Sequence, residues 1–420
     1  MLTQIINARI VTPRSGTGPK HGREAMRDLA VIAHGYVVAD DSTGLITAVG
    51  DMGSCPKRDV MTAQVLDAGG RLLLPGFVDC HTHACWAGER LDEFQQKLEG
   101  ADYLSILKAG GGIMSTVRAT RQASQDELAA GLVARVHRMA AFGSTTIEVK
   151  SGYGLNTEAE LKMLRAIGQA AGQVAPVRLV PTALIAHAVD TEQGESFVTR
   201  TIEETLPAVA SEFPGIAVDG YCEDGAWSLE QTRRLFDAAV ELGCRLRVHT
   251  DQFHSLGATR MAIEMGAASV DHLEAVTDDD IELLGIGGAP TLAVALPVSG
   301  FQLDERYAPG RKLIDAGAAV AIATNYNPGS APSPSMPFAM ALACRKCGLT
   351  PSEAITAATW NAAHVLGMGG VVGAIGEGQR ADLVLWDEVD ERALAYEVAG
   401  VPAVLVMAGG QPVSPVDATQ

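Results

Sequence analysis

The sequence predicts an α/β protein, a (β/α)8 TIM-type barrel with a small β-sandwich domain built from both chain ends. Eight apolar, strand-like runs alternate with amphipathic stretches through the middle of the chain, as such a barrel requires. Both ends instead carry short strands and turns. A chain of 420 residues is long enough for a barrel with an attachment. We predict a sandwich of residues 1–66 plus 371–420 and a barrel of residues 67–370.

The two ends of the chain share one composition. Residues 4–12 and 29–50 form apolar runs broken by turn residues, and residues 381–388 and 402–413 repeat that pattern. Since these short runs lie on either side of the α/β region, we expect them to pair with one another.

The barrel is predicted from the eight runs in order. Helical stretches such as "DELAAGLVARVHRMAAF" and "LEQTRRLFDAAVELG" separate most of them. The runs are residues 71–79, 145–149, 177–182, 217–222, 245–249, 268–272, 290–296 and 318–324.

The ends of these runs carry groups able to do chemistry. Catalytic groups of such barrels lie at the carboxyl ends of the strands. Five of the ten histidines fall at these points, which a random distribution rarely produces. In chain order the end residues are His81 and His83, Lys150, His187, Glu223, His249, His272 and Asn325, with run seven ending in no ionisable group.

The motif "DCHTHA" is the sharpest indication of a metal site. Residues two apart on an extended chain point the same way, so His81 and His83 can bind one ion. His249 and His272 at later strand ends strengthen this interpretation. Neutral imidazoles suit one divalent metal, Zn²⁺ or Fe²⁺, with a position left open for water. The sequence therefore predicts metal-assisted hydrolysis.

The overall charge and the cysteines limit the partners and the compartment. A formal net charge of −18 argues against nucleic acid and anionic membrane, and an anionic substrate needs a local Arg or Lys. Seven dispersed cysteines fit a reducing cytoplasm. The two cysteines of "CRKC" are expected to be packed side chains and not a zinc or redox motif. We find no signal-peptide pattern and no apolar stretch of membrane-spanning length.

Motifs along nearly the whole chain resemble the imidazolonepropionases, amidohydrolases that open the ring of 4-imidazolone-5-propanoate to N-formimidoyl-glutamate in histidine degradation. The resemblance implies a small anionic heterocyclic substrate and a homodimer. The motifs are "PGFVDCHTHACWAGER", "AGGGIMSTVRATR", "EVKSGYGLNTEAELKMLR", "AHAVD", "HTDQFHSLG", "SVDHLE" and "TNYNPGS".

The resemblance also assigns roles to single residues. It implies that His81, His83 and His249 bind the metal, together with residue 325, and that His272, Gln252 and Asn325 occupy catalytic positions. Arg90 would clamp the propionate bidentately. The residues implied to contact the substrate are Arg90, Tyr153, His187, Gln252, Asn327, Gly329 and Ser330. Because the implied site holds one metal, Lys150 is expected to form a structural ion pair.

Asn325 departs from the family, which has an aspartate there that shuttles a proton to the departing ring nitrogen. An amide can offer its oxygen to a metal but cannot carry that proton. Three explanations stay open: an engineered knock-out, a relative that only binds, or a sibling desulfhydrase. Hydrosulfide leaves as an anion and does not need the family's acid, so that sibling would act on the 2-thioxo analogue of the ring.

Overall fold

The computed structural model describes residues 2–56, 63–100, 111–189, 193–303, 305–398 and 400–413. Parts of the predicted sandwich, residues 1, 57–62, 399 and 414–420, lie outside the described residues, as do Ala109, Gly110 and Asp190 of the motifs. Within the described part of the chain, no helix combines the length and apolar character needed to cross a bilayer.

The barrel predicted from the eight runs is confirmed. Its strands pair in chain order, every recorded neighbouring pair being parallel. They are β6 (Phe77–Asp79), β7 (Ser144–Lys150), β8 (Arg178–Ala186), β9 (Ala217–Cys222), β10 (Arg245–Thr250), β11 (Ser269–His272), β12 (Leu292–Ala295) and β13 (Val320–Ile322). Parallel order brings their carboxyl ends to one rim, which is where the site forms.

The two chain ends form one mixed sheet, the terminal sheet. Its strands are β1 (Leu2–Pro13), β2 (Leu29–Asp40), β3 (Leu45–Asp51), β4 (Ala63–Asp67), β5 (Leu72–Pro75), β14 (Leu383–Trp386), β15 (Ala403–Ala408) and β16 (Gln411–Pro412). Their order in the sheet is β16-β15-β14-β5-β1-β2-β3, with β4 pairing to β1. Ile10, Val37, Leu73, Leu383 and Met407 are all buried in one apolar cluster of this sheet.

The run 71–79, expected to be one barrel strand, is instead divided between the two sheets. Leu72–Pro75 pairs with β1 and β14 of the terminal sheet, and only Phe77–Asp79 pairs with β7 of the barrel. Gly76 separates them, and an added Cβ there would lie 2.2 Å from Thr145 Oγ1. The apolar character of the run is the same on both sides of Gly76, so it did not reveal the change of sheet. The boundaries 1–66 plus 371–420 and 67–370 stay a prediction.

Both helices named from the sequence are confirmed, and local capping explains where they begin. Ser124 and Glu127 form a reciprocal capping box before the first, and Ser228 and Gln231 form one before the second. The α-helices are Gly22–Arg27, Leu91–Leu98, Ile113–Gln122, Gln125–Ala141, Thr157–Val174, Glu195–Arg200, Leu206–Glu212, Leu229–Glu241, Ala258–Glu264, Asp278–Gly285, Pro297–Gln302, Gly310–Ala316, Met336–Lys346, Pro351–Thr356, Ala362–Val365 and Ala393–Tyr396. A 3₁₀ turn spans Met52–Ser54, and π-helical segments span Thr201–Thr205 and Ala357–Asn361.

Candidate active site

Three histidines meet at the carboxyl rim of the barrel. His81 and His83 follow β6, and His249 lies in β10; all three are buried. One ring nitrogen from each lies within 4.8 Å of the others, and the Nε2 atoms of His83 and His249 are 3.3 Å apart. Strands that are distant in the chain therefore deliver a compact set of nitrogen ligands.

Buried carboxylates orient two of these imidazoles. The Nδ1–H of His81 donates to Asp271 Oδ2 at 2.6 Å, and the Nδ1–H of His249 donates to Asp219 Oδ1 at 3.1 Å. A carboxylate only accepts, so the proton of each neutral ring is at Nδ1 and the lone pair at Nε2. Ligating histidines are commonly held in this way. Among the described residues, His81 Nε2 is buried and has no hydrogen-bond partner.

The protonation state of the cluster also fits a metal. Burial is the largest cause that lowers the pKa of His81, of His83 and of His249, which favours neutral rings that donate lone pairs. Three neutral imidazoles with close nitrogens and an unsatisfied Nε2 fit a divalent metal ion. Such an ion supplies Lewis acidity and lowers the pKa of bound water to about 7.

A buried ion-pair network connects the two carboxylates that hold the histidines. Lys150 Nζ contacts Asp219 Oδ2 at 2.8 Å and Glu148 Oε1 at 2.6 Å. Arg247 bridges Glu148 at 3.0 Å and Asp271 at 2.7 Å. Removing one partner of such a network leaves an uncompensated buried charge, at a cost of about 3–5 kcal/mol. Lys150 therefore forms the expected structural ion pair.

The sequence reasoning missed four members of this network. They are charged residues inside buried parallel strands, where near-continuous apolar character is the norm. Strand alternation offers a signal for two of them, because a charge two residues from a strand-end histidine or lysine shares its face. Such spacing relates Glu148 to Lys150 and Arg247 to His249. The missed residues are Glu148, Asp219, Arg247 and Asp271.

His272 and Asn325 lie at the rim on strained backbone. Their φ angles are 90° and 55°, in a region that non-glycine residues rarely adopt and that clusters at functional sites. The ring of His272 is 5.5 Å from that of His249, centroid to centroid, and its Nδ1 lies 3.2 Å from Glu274 Oε1. In the described part of the chain, Asn325 Oδ1 is buried without a hydrogen-bond partner.

Three residues expected at the substrate surround the histidine cluster. The ring of His187 stacks on His83 with centroids 4.9 Å apart, and its Nδ1 lies 3.0 Å from the Gly152 carbonyl. Burial lowers the pKa of His187 to about 3 and raises the pKa of Tyr153, whose ring centroid is 5.3 Å from that of His187. Gln252 Oε1 accepts from the hydroxyl of Tyr221 at 2.8 Å. Both rings beside His83 are thus held uncharged.

Asn327 connects the other residues that the sequence predicts at the substrate to Asn325 at the rim. These other residues are Arg90, Gly329 and Ser330. The Nδ2 of Asn327 donates to the Asn325 carbonyl at 2.7 Å and to Ser330 Oγ at 3.0 Å, while Asn327 Oδ1 accepts from the N–H groups of Gly329 and Ser330. The Asn327 side chain therefore shapes the loop that it starts. A Cβ added at Gly329 would lie 2.9 Å from a guanidinium nitrogen of Arg90.

Glu223, another strand-end residue, contacts the loop that follows β10. Its carboxylate accepts from the N–H groups of Phe253 and His254 at 2.8 and 3.2 Å and lies 2.8 Å from His254 Nδ1. It fixes the loop that follows β10 rather than contributing to the histidine set.

The barrel and its histidine cluster define a metal-dependent amidohydrolase. The family described as "Amidohydrolase family" matches residues 72–413. The chain belongs to the imidazolonepropionase family within it: it is 42% identical to the imidazolonepropionase of Herpetosiphon aurantiacus over 94% of each chain. It is 44% identical to that of Deinococcus radiodurans over 96% of this chain and 98% of the relative.

Solved structures of lower identity share the fold. A 5-methylcytosine deaminase from Klebsiella pneumoniae liganded with 5-fluorocytosine has a TM-score of 0.72 and 16% identity, covering 99% of this chain and 98% of its own. An N-isopropylammelide isopropylaminohydrolase from Burkholderia multivorans has a TM-score of 0.70 and 18% identity, covering 98% of each chain. At these identities the likeness supports the architecture alone.

Proposed function

We propose that this protein hydrolyses a five-membered imidazolone- or hydantoin-like ring bearing a propionate, with 4-imidazolone-5-propanoate opened to N-formimidoyl-L-glutamate as the main reaction. The cluster of His81, His83 and His249 carries the proposal, because three buried neutral imidazoles suit a hydrolytic metal. Relatives named imidazolonepropionase at 42–44% identity over nearly the full length support the choice of ring.

In this proposal the residues around the cluster bind and orient the ring. His187 and Tyr153 present uncharged polar groups to the ring, and Gln252 is held by Tyr221 beside His249. His272, near His249, polarises the attacked group or takes a proton from water. Arg90 binds the propionate, and the loop of Asn327, Gly329 and Ser330 forms the wall next to it.

The metal, the assembly and the compartment are further parts of the proposal. Asn325 would offer its amide oxygen, a weak ligand, to a bound Zn²⁺ or Fe²⁺. The seven cysteines are free thiols, which supports a reducing cytoplasm. We expect a homodimer, the usual assembly of the family, and light scattering of the purified protein tests this expectation.

A second candidate is sulfide release from the 2-thioxo analogue, a 5-oxo-2-thioxoimidazolidinyl propionate. Asn325 favours it, because an amide cannot protonate a leaving nitrogen. Water adds to the C=S carbon, one of its protons passes to the sulfur and the other to solvent, and the C–S bond breaks so that hydrosulfide leaves with the electron pair while a C=O bond forms. The ring stays closed, and no proton has to reach a nitrogen. Both rings carry the same propionate, and Arg90 would bind it in either case.

Incubation of the metal-loaded protein with each ring separates the candidates. Loss of imidazolone absorbance with formation of N-formimidoyl-glutamate supports ring opening, whereas sulfide in a colorimetric assay supports the second candidate. A protein that binds metal but turns over neither ring is the non-catalytic relative, the least favoured alternative. That outcome contradicts both enzymatic proposals.

A further inference from the structure

Arg90 is engaged by a neighbouring acid one turn along the chain. Its Nε and one terminal nitrogen, NH2, contact Glu93 Oε2 at 2.8 and 2.6 Å. The side chains are only 13% and 12% exposed, so the pair is better shielded from solvent than a surface pair. The other oxygen, Glu93 Oε1, accepts the N–H of Gly112 at 3.0 Å. Glu93 thus connects Arg90 to the start of the helix Ile113–Gln122.

The contacts of Glu93 leave one side of the guanidinium available. A carboxylate binds arginine bidentately through either the Nε/NH2 edge or the NH1/NH2 edge. Glu93 takes the first edge. NH1 belongs only to the second edge, and a Cβ added at Gly329 would lie 2.9 Å from it. Glycine at 329 therefore leaves room for the guanidinium beside the loop that starts at Asn327.

A cavity of about 480 Å³ borders this arrangement. Its walls include Trp86, Arg90, Glu93, Tyr326 and Gly329. Trp86 and Tyr326 meet edge to face with ring centroids 5.2 Å apart, giving the cavity an apolar side. An apolar wall and a guanidinium edge together suit a short aliphatic arm that ends in a carboxylate.

We propose that Glu93 is a positioning residue, which holds Arg90 so that the NH1/NH2 edge receives the carboxylate of the substrate. This inference rests on the proposed function for the identity of the acid tail. Without Glu93 the arginine side chain has more rotamers to lose on binding, and its edge is no longer aimed. The selectivity for an acid over its amide then depends on a residue that does not touch the ligand.

The test measures binding rather than turnover. The probe is 3-(imidazol-4-yl)propanoate, an unreactive ring with the same arm, compared with its primary amide by titration calorimetry on metal-loaded protein. Wild type should prefer the acid. Glu93→Ala should weaken acid binding by about tenfold or more and leave amide binding unchanged. Glu93→Gln, which keeps one acceptor, should lie between them, and Gly329→Ala should also weaken the acid by displacing NH1.

A double-mutant cycle separates positioning from a general structural effect. If Glu93 acts through Arg90, then Glu93→Ala should have no further effect on acid binding in an Arg90→Ala background. The control is Glu99→Gln, which removes the same charge at an exposed residue. Glu99 lies at the end of Leu91–Leu98, the helix that contains Glu93. An undiminished effect of Glu93→Ala in that background, or a wild type that binds acid and amide equally, overturns the proposal. Acid preference without turnover of either ring overturns only the proposed function.

Discussion

The backbone N–H of Asn325 donates to the carbonyl of His81 at 3.0 Å. Next to it, the N–H of His83 donates to the carbonyl of Tyr326 at 3.0 Å. These bonds connect the ends of β6 and β13, the first and last strands of the barrel. They place residue 325 directly beside the pair of His81 and His83.

Asn325→Asp should raise kcat for opening of the imidazolone ring by about 100-fold or more, because an acid–base group at this position can move a proton to the leaving nitrogen. The backbone tolerates the change, since Asp, like Asn, accepts positive φ. Steady-state assays of both rings on metal-loaded protein measure the effect, and sulfide release should not gain.

The matched control is Asn156→Asp, the same chemical change at an exposed helix N-cap, where Asp caps equally well. It should leave both rates unchanged. Equal rates of ring opening with Asn and Asp at 325 would show that the amide is not what limits proton delivery.

Removing the metal with a chelator should abolish turnover and lower the free energy of unfolding. An ion that binds only the folded state stabilises it by about 2.7 kcal/mol when present at 100 times its dissociation constant. Thermal melts with and without added Zn²⁺ or Fe²⁺, together with metal content, measure this. In His83→Ala, the added ions should no longer raise the Tm. A wild-type Tm that changes with neither ion would contradict the metal site.

Asp271→Asn should weaken metal binding by about 10–100-fold, because the carboxylate that fixes the Nδ1–H of His81 is lost. The change also removes an ion-pair partner of Arg247, so the variant should be less stable. Competition with a chromogenic chelator measures the affinity. Asp278→Asn, at an exposed ion pair with Lys312, is the control, and equal affinities of the two variants would argue against the orienting role.

Stability should fall as the pH drops below about 6.5, partly through His364. Burial lowers the pKa of His364, and His21 beside it has a pKa lowered by burial too. Between the lowered pKa and the ordinary value of about 6.5, only the unfolded chain binds the protons, so the free energy of unfolding rises with pH. Urea unfolding from pH 5 to 7.5 measures how the free energy of unfolding changes with pH. This pH dependence should be weaker in His364→Gln than in wild type, whereas His34→Gln, at an exposed residue, should keep the wild-type dependence.

The sequence was most informative where local patterns repeat. Alternation of apolar runs with helical stretches predicted the barrel, whose eight strands pair in chain order. It was least informative where two sheets share one apolar run, as at Gly76. Paired charges such as Glu148 and Arg247 also escaped detection, since strand spacing indicates the face on which such a charge lies but not its partner, which is 99 residues away in the chain.

By itself the sequence determined the fold class, the histidine pair at 81 and 83, and the amide at 325, because these depend on local periodicity and on residue identity. Only the tertiary structure decided which groups act together. Barrel closure brings β6, β10 and β13 to one rim, orients His81 and His249 through Asp271 and Asp219, and sets Glu93 against one edge of Arg90. Such contacts depend on distances and directions in space, which the order of residues along a chain does not contain.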